Sequence, residues 1–286
     1  MATVVEIFAG AGGAALGLKA AGFDHLACIE QDPDACDTLR AAGLPCVQGD
    51  VRDPDLYESH WVGCDLLWSS FPCQAWSQAG KRQGSQDDRN GWPWTVDVID
   101  CLEPTWFIAE NVVGLLQHRG ACDDGCVGSV ECPRAYFDQV IIKQLRQRFD
   151  WVGFRVLNAS SFGVPQHRKR VLIVAGPHPV DWPSLTHGKP SSQVDLFGHQ
   201  TMPWKTVAQS LGLVGMRVIG GGRNDSVAHR SPRTFRDLTD EPCTTIAASQ
   251  IGNAGPWIEP GHRRLTTAEC AILQDFPAGH PFAGKK

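Results

Sequence analysis

Two stretches of the chain carry residue types and spacings able to do chemistry. One is Phe71-Pro72-Cys73-Gln74, one residue after the strand-like run Asp65–Ser69. Loops at the carboxyl end of a parallel strand hold reactive groups. A cysteine there supplies a nucleophile once its surroundings favour the thiolate. Taken singly, one of eleven cysteines is more often a small buried hydrophobe. The other stretch is Gly10-Ala11-Gly12-Gly13-Ala14-Ala15, which follows the strand Val4–Phe8 and opens a helix. It matches the G-x-G-x-x-A fingerprint in its strand–turn–helix setting, so a nucleoside-containing cofactor fits. The fingerprint does not separate nicotinamide dinucleotides from other adenosine cofactors. Glu30 ends the next strand, 20 residues after Gly10, where an acid can bind ribose hydroxyls. Asp50, beside Gly49, reads on spacing alone as a turn aspartate, with an acceptor for an adenine amino group as the alternative.

These groups need strands to carry them. Strands are expected at Val4–Phe8, Leu26–Glu30, Asp65–Ser69, Trp106–Ala109, Phe154–Leu157 and Arg170–Ala175. Helices are expected at Ala14–Ala21, Pro33–Ala42, Val96–Leu102 and Arg134–Phe149. Strands alternating with helices give an α/β, doubly wound, mostly parallel sheet. After Gly176 the texture turns to Pro, Gly and short apolar runs. A smaller, loop-rich domain is therefore expected at 176–262, after a first domain at 1–175 and before a return segment at 263–286 that packs on the first domain.

The 286 residues carry a net charge of −5, and 42% of them are hydrophobic, a globular composition. No apolar run approaches the ~18 residues of a membrane span. The start has no basic residue before Lys19, so no export signal is read. With eleven unevenly spaced cysteines, this argues for reduced thiols and a cytoplasmic protein without membrane partners. Charge is not uniform. Lys205–Arg236 holds six basic residues against Asp225 alone, +5 over 32 residues, leaving −10 for the rest. Such a module is either a phosphate-facing surface or an ordinary solvated one.

Pro72-Cys73-Gln74, joined to the glycine loop, resembles the DNA (cytosine-5) methyltransferase family. The resemblance continues in order along the chain. Phe8–Gly13 is similar to the family's S-adenosylmethionine-binding first motif. Glu110-Asn111-Val112 is similar to its Glu-Asn-Val motif, and Gly163–Arg170 to its Gln-x-Arg-x-Arg segment. Arg264-Leu265-Thr266, Glu269 and Leu273–Pro277 resemble the ninth motif, and the variable target-recognition region lies before it. The resemblance implies a Rossmann-like class I methyltransferase fold with a target-recognition domain at 176–262. It also implies a cofactor, S-adenosyl-L-methionine, held by Phe8, Gly10, Ala11, Gly12, Gly13, Glu30, Gln31, Asp50, Val51, Pro72 and Trp92. On this reading Asp50 contacts adenine, which displaces the turn reading.

The implied reaction adds Cys73 to carbon 6 of a cytosine, so that carbon 5 can accept a methyl group. Glu110 would serve ring nitrogen 3 and Arg170 the exocyclic oxygen, while Arg168 binds phosphate or holds the loop. The target carbon is inside a duplex, so the base must be flipped out. Double-stranded DNA would be met by Arg89, Gln166, Arg217, Arg223, Arg230 and Arg233. The stretch Ser77–Trp94 resembles the family's mobile loop. Asn90 precedes Gly91 where the family has Gly first, a change read as tolerated because Asn accepts left-handed angles. The family's tenth motif has no counterpart after the ninth here. The expectations are a truncated fragment that binds DNA without turnover, a separate chain that supplies the motif, or activity without it. Transfer to a tRNA cytosine is the close alternative. A cognate restriction endonuclease is the other expected partner, through restriction-modification. Cys122, Cys126 and Cys132, with His118, match no standard zinc spacing and are read as free thiols, with no metal expected.

Overall fold

The computed structural model describes residues 1–72, 90–118, 132–189, 200–220, 236–246, 256–261 and 263–284. It divides into two compact units. The first is Met1–Val156 with Arg170–Asp181 and Pro281–Lys286; the second is Leu157–Lys169 with Trp182–His280.

In the first unit, β1 (Thr3–Ile7) leads through α1 (Gly13–Ala20) to β2 (Asp24–Glu30), then through α2 (Pro33–Ala41) to β3 (Cys46–Gln48). Asp32 caps α2 by accepting the Ala35 N–H at 2.9 Å, and Pro33 fits the first turn, where no N–H is needed. The chain then crosses to β4 (Leu66–Ser69), α3 (Trp92–Leu102) and β5 (Trp106–Val112). Next, α4 (Pro133–Tyr136) runs into a π-helical segment, Phe137–Ile142, and α5 (Lys143–Leu145). The expected single helix over 134–149 is thus widened in its middle, which turns Phe137, Ile141 and Ile142 into the core. Finally β6 (Trp151–Asn158) and β8 (Lys169–Gly176) follow, with β7 (Gln166–His167) between them in sequence but in the second unit.

The large sheet has the order β3-β2-β1-β4-β5-β8-β6. β1 through β5 pair in parallel, and β8 pairs antiparallel with β5. This is the doubly wound, mostly parallel fold that the alternation of elements predicts. Strand order reverses between β1 and β4, and open α/β sheets bind ligands outside the carboxyl ends of their strands at such a switch point. Val5, Ile7, Ala27, Ile29, Leu67 and Phe107 are buried in the largest core. Burial on both faces explains why these strands read as apolar runs rather than alternating ones.

The second unit contains short strands β9 (His187–Gly188) and β10 (Met202–Pro203), then α6 (Val207–Leu211). β11 (Arg217–Gly220), β12 (Arg236–Asp237), β13 (Cys243–Thr244), β14 (Trp257–Glu259), β15 (Arg263–Arg264) and α7 (Thr267–Leu273) complete it. Its four-stranded sheet runs β12-β11-β14-β15, and β7 pairs with β13. The expected segment boundaries shift accordingly. Pairing of Gln166 with Cys243 draws Leu157–Lys169 into this unit. α7 places Cys270 and Leu273 in its core beside Val207 and Val218 rather than on the first unit. Only Pro281–Lys286 groups with the first unit, where Thr38 Oγ1 accepts the Ala283 N–H at 2.9 Å. Among the described residues, no helix is long and apolar enough to cross a membrane.

Candidate active site

The parallel strands of the first unit deliver their carboxyl ends to one edge of the sheet. There a pocket of about 370 Å³ is lined by Phe8, Ile29, Glu30, Gln31, Gly49, Asp50, Val51, Arg52, Pro72 and Trp94. Each belongs to a strand end or to the loop or helix that follows one. Phe8, one residue past β1, adopts φ +57°, a left-handed conformation that bulky side chains rarely take and that costs ~1–3 kcal/mol. Gly12 caps α1 at φ +84°, and a Cβ there would sit 3.0 Å from both Leu39 Cδ2 and Leu44 Cδ1. Conformation and space both require glycine at that position.

Glu30 does more than the sequence suggested. Its Oε2 accepts the Gly10 N–H at 2.8 Å, and its Oε1 accepts the N–H groups of Gln31 and Asp32 at 2.8 and 2.9 Å. The carboxylate therefore ties the glycine loop to β2. It offers about four acceptor positions, so one remains for a ligand hydroxyl. Asp50 is held by a bidentate contact from Arg52, whose Nε lies 2.9 and 3.0 Å from its two oxygens. That hydrogen-bonded guanidinium keeps the Asp50 carboxyl below its ordinary range. Arg52 in turn lies over the Trp94 ring at 5.0 Å. Trp94 was not anticipated from sequence. Trp92 was, but it is buried against Phe71 and Phe107, with its indole N–H on Gln144 at 2.7 Å. On the first turn of α3 the pocket-facing tryptophan is the later of the two.

Beside the pocket, β4 exits into Ser70-Phe71-Pro72. Phe71 is buried, and its carbonyl accepts the Asn111 side-chain amide at 3.2 Å. Asn111 is 1% exposed, on the inward face of β5, and also caps the Val112 N–H at 2.9 Å. Gly91 packs on the same segment from α3; a Cβ there would meet Pro72 Cδ at 2.5 Å. The preceding Asn90 is not left-handed. It is buried and donates to the Tyr136 hydroxyl at 2.8 Å, so its fit rests on that bond. Two contacts thus hold Phe71 and Pro72, the residues immediately before Cys73, which itself, with Arg89, lies outside the described residues. Replacing Asn111 with Ala should lower turnover ~10–100-fold with the cofactor KM little changed, because a small displacement of reacting groups has that cost. Steady-state kinetics on the purified variant would check this.

Glu110 lies on the other face of β5 from Asn111, and its Oε1 is 2.5 Å from Arg170 Nε. The two side chains are only 24% and 19% exposed. The register explains the meeting: β8 runs antiparallel to β5, so its first residues lie beside the β5 carboxyl end, with Arg170 opposite Val112. Residues 60 positions apart in sequence are therefore joined at the sheet edge that carries the pocket.

In the second unit, the Arg168 carbonyl accepts the Ala159 N–H at 3.0 Å. Gln166 is fully buried, and neither of its amide atoms has a partner among the described residues. The exposure that a contact with DNA needs is not there. Arg217 is exposed but paired with Glu259 at 3.1 Å and Asp237 at 3.8 Å, acids brought beside it by β14 and β12. Arg223, Arg230 and Arg233 lie outside the described residues, as do Cys122 and Cys126. His118 Nδ1 and Cys132 Sγ are 4.0 Å apart.

Residues 2–202 match the C-5 cytosine-specific DNA methylase family. The chain is 34% identical over 229 residues to the Type II methyltransferase M.AquIA of Picosynechococcus sp., covering 73% of this chain and 87% of that one. It is 37% identical over 304 residues to M.NaeI of Lentzea aerocolonigenes, covering 99% of this chain and 68% of that one. Among solved structures, an E. coli prophage-encoded protein described as a DNA modification methyltransferase shares the fold. It has a TM-score of 0.58 at 19% identity, covering 99% and 91% of the two chains. The chain belongs to the C-5 cytosine-specific DNA methylase family and is a DNA (cytosine-5-)-methyltransferase.

Proposed function

We propose that this enzyme methylates carbon 5 of cytosine in double-stranded DNA through a transient bond from Cys73 to a flipped-out base. The observation that carries the reading is the Glu110–Arg170 pair on the sheet edge where Asn111 and Gly91 fix the approach to Cys73. The adjacent pocket fits S-adenosyl-L-methionine in its donor set: aromatic walls from Phe8 and Trp94, and carboxylates from Glu30 and Asp50. When bound there, S-adenosylmethionine supplies the methyl group on a positively charged sulfonium.

Glu30 would accept a ribose hydroxyl, while Phe8, Val51 and Trp94 enclose the adenine. Asp50 would accept from the adenine amino group, sharing its oxygens with Arg52. Gly10, Ala11, Gly12, Gly13, Gln31 and Pro72 shape the remaining walls and the loop behind them.

On the substrate, the Cys73 thiolate forms a bond to carbon 6 and pushes electron density onto ring nitrogen 3 and carbon 5. Glu110 protonates or steadies nitrogen 3. Arg170, paired with Glu110, orients that carboxyl and faces the exocyclic oxygen. Arg168 holds phosphate or the loop. Once carbon 5 is substituted, a water molecule acting as base takes its proton, and the electron pair of that C–H bond re-forms the ring double bond as the thiolate leaves carbon 6. Among the basic residues, Arg89, Arg217, Arg223, Arg230 and Arg233 supply candidate phosphate contacts. Relatives named Type II methyltransferases support a place in restriction-modification, with a cognate endonuclease as the functional partner.

Incubation with methyl-labelled S-adenosylmethionine and either unmethylated DNA or tRNA tests the assignment. Label should enter DNA as 5-methylcytosine; label confined to tRNA would move the activity to RNA, and label in neither would leave a DNA-binding protein. Asp50→Ala should raise the cofactor KM ~10–100-fold with kcat nearly unchanged, as expected for ~1.5–3 kcal/mol of uniform binding through a charged acceptor. Kinetics at varied cofactor concentration would check it.

A further inference from the structure

Away from the pocket, three donor side chains of different chemistry converge inside the β1–β2 pair. Glu6, His25 and Cys28 place a carboxylate oxygen, an imidazole nitrogen and a sulfur within 4.8 Å of one another. The Glu6 and His25 side chains are 1% and 3% exposed. Among the described residues, neither Glu6 oxygen nor His25 Nε2 has a hydrogen-bond partner. Their closest approach, 3.6 Å from His25 Nε2 to Glu6 Oε2, is too long for a hydrogen bond. The two lie within ion-pair distance, but buried polar groups are almost always hydrogen-bonded as well, and a buried carboxylate that lacks hydrogen bonds is costly.

The convergence is built by the backbone. His25 and Cys28 are three residues apart, which in a regular strand would send them to opposite faces. Here the pairing shifts register: Val4 sits opposite His25, but Val5 sits opposite Ala27 and Glu6 opposite Cys28. Leu26 is the extra residue of a bulge. Because Val4 and Glu6 share one face of β1, the bulge returns both His25 and Cys28 to the Glu6 face. Val5, Ile7, Ala27 and Ile29 fill the other face and belong to the main core.

We infer that Glu6, His25 and Cys28 form a zinc site that clamps β1 to β2. The donor set is one that zinc takes, and ligands at ~2.1 Å in tetrahedral geometry stand ~3.4 Å apart, close to the Glu6–His25 separation. One carboxylate, one thiolate and one neutral imidazole cancel the charge of Zn²⁺, which suits a site shut away from water. Binding sends the Cys28 thiol proton to solvent, and the ion gives each orphaned atom a partner. Three protein residues leave one coordination position, which the second Glu6 oxygen, also without a hydrogen-bond partner, can take. The clamp would fix the two strands whose next residues are Phe8 and Gln31, and so the spacing of Phe8 and Glu30 across the pocket.

The test uses the full chain with Cys122, Cys126 and Cys132 all changed to Ser, so that those thiols hold no metal. After chelation and desalting, zinc is returned in competition with a chromophoric chelator, and cobalt is used in parallel as a spectroscopic probe. One equivalent should bind, cobalt should give a thiolate charge-transfer band, and zinc should raise the melting temperature. His25→Gln and Cys28→Ser, each near-isosteric, should weaken zinc by more than the ~10–100-fold that loss of a mere supporting group costs. Cys28→Ser should also abolish the cobalt band. Far-UV circular dichroism of the metal-free variants checks folding, and two separate variants keep the result independent of either one. No stoichiometric zinc in the triple-Ser protein, or binding unchanged in both variants, would overturn the site.

Discussion

Cys73→Ala should abolish methyl transfer, lowering turnover by ~10⁴-fold or more, the scale seen when a covalent nucleophile is removed. DNA affinity should stay near that of the parent, because the side chain lost is small and phosphate contacts dominate binding. The expectation rests on chemistry. Carbon 5 of cytosine is a weak nucleophile until a group adds at carbon 6, and Cys73, in the Pro72-Cys73-Gln74 motif, is the cysteine proposed to add there. Cys64 and Cys243 are buried, and burial pushes their thiols well above the ordinary range, to about 11 and about 12. Thiols so held are not thiolates at neutral pH. A filter-binding titration beside the transfer assay separates the two effects. Retained turnover would remove Cys73 from the reaction, and loss of both activities together would indicate a structural role instead.

Glu110→Gln should be the next most damaging change, lowering kcat by ~10²–10⁴-fold, the usual contribution of a positioned acid or base. The amide keeps the shape but cannot deliver a proton to ring nitrogen 3. Its effect should exceed that of a lost ion pair alone, and the Arg170 variant makes the comparison. If Arg170 acts partly by orienting Glu110 across their 2.5 Å contact, then Arg170→Ala combined with Glu110→Gln should cost less than the two effects added. Full additivity would mean that the arginine and the carboxylate work separately. A Glu110→Gln enzyme with kcat close to the parent would remove the acid role altogether.

The strands that carry the site were legible because a parallel sheet buried on both faces writes continuous apolar runs, and the helices between them carry Gly, Pro and Asp signals at their starts. Glu30 could be read as a ligand-facing acid because it ends such a run, whereas spacing alone made Asp50 a turn residue and only the family resemblance made it an adenine contact. The antiparallel return of β8 was not legible as a pairing, although it is what sets Arg170 against Glu110. Pairing direction leaves no mark in composition. The Asn111–Phe71 bond was equally hidden, since only the register of two adjacent strands brings those residues together. Trp92 and Trp94 could not be told apart before the helix had a face: one fills the core and the other the pocket. The Glu6–His25–Cys28 convergence depends on a one-residue bulge, and a strict alternation pattern separates His25 from Cys28.

The covalent bond between Cys73 and the target base can be trapped and located. DNA in which cytosine carries fluorine at carbon 5 is incubated with the enzyme and S-adenosylmethionine. Methylated carbon 5 then has no proton to lose, so the thiolate cannot leave. A stable one-to-one protein–DNA adduct should form whose peptide map places the base on Cys73, with no adduct from Cys73→Ala. An adduct on another residue, or efficient methylation of ordinary DNA with no adduct on the fluorinated one, would contradict it.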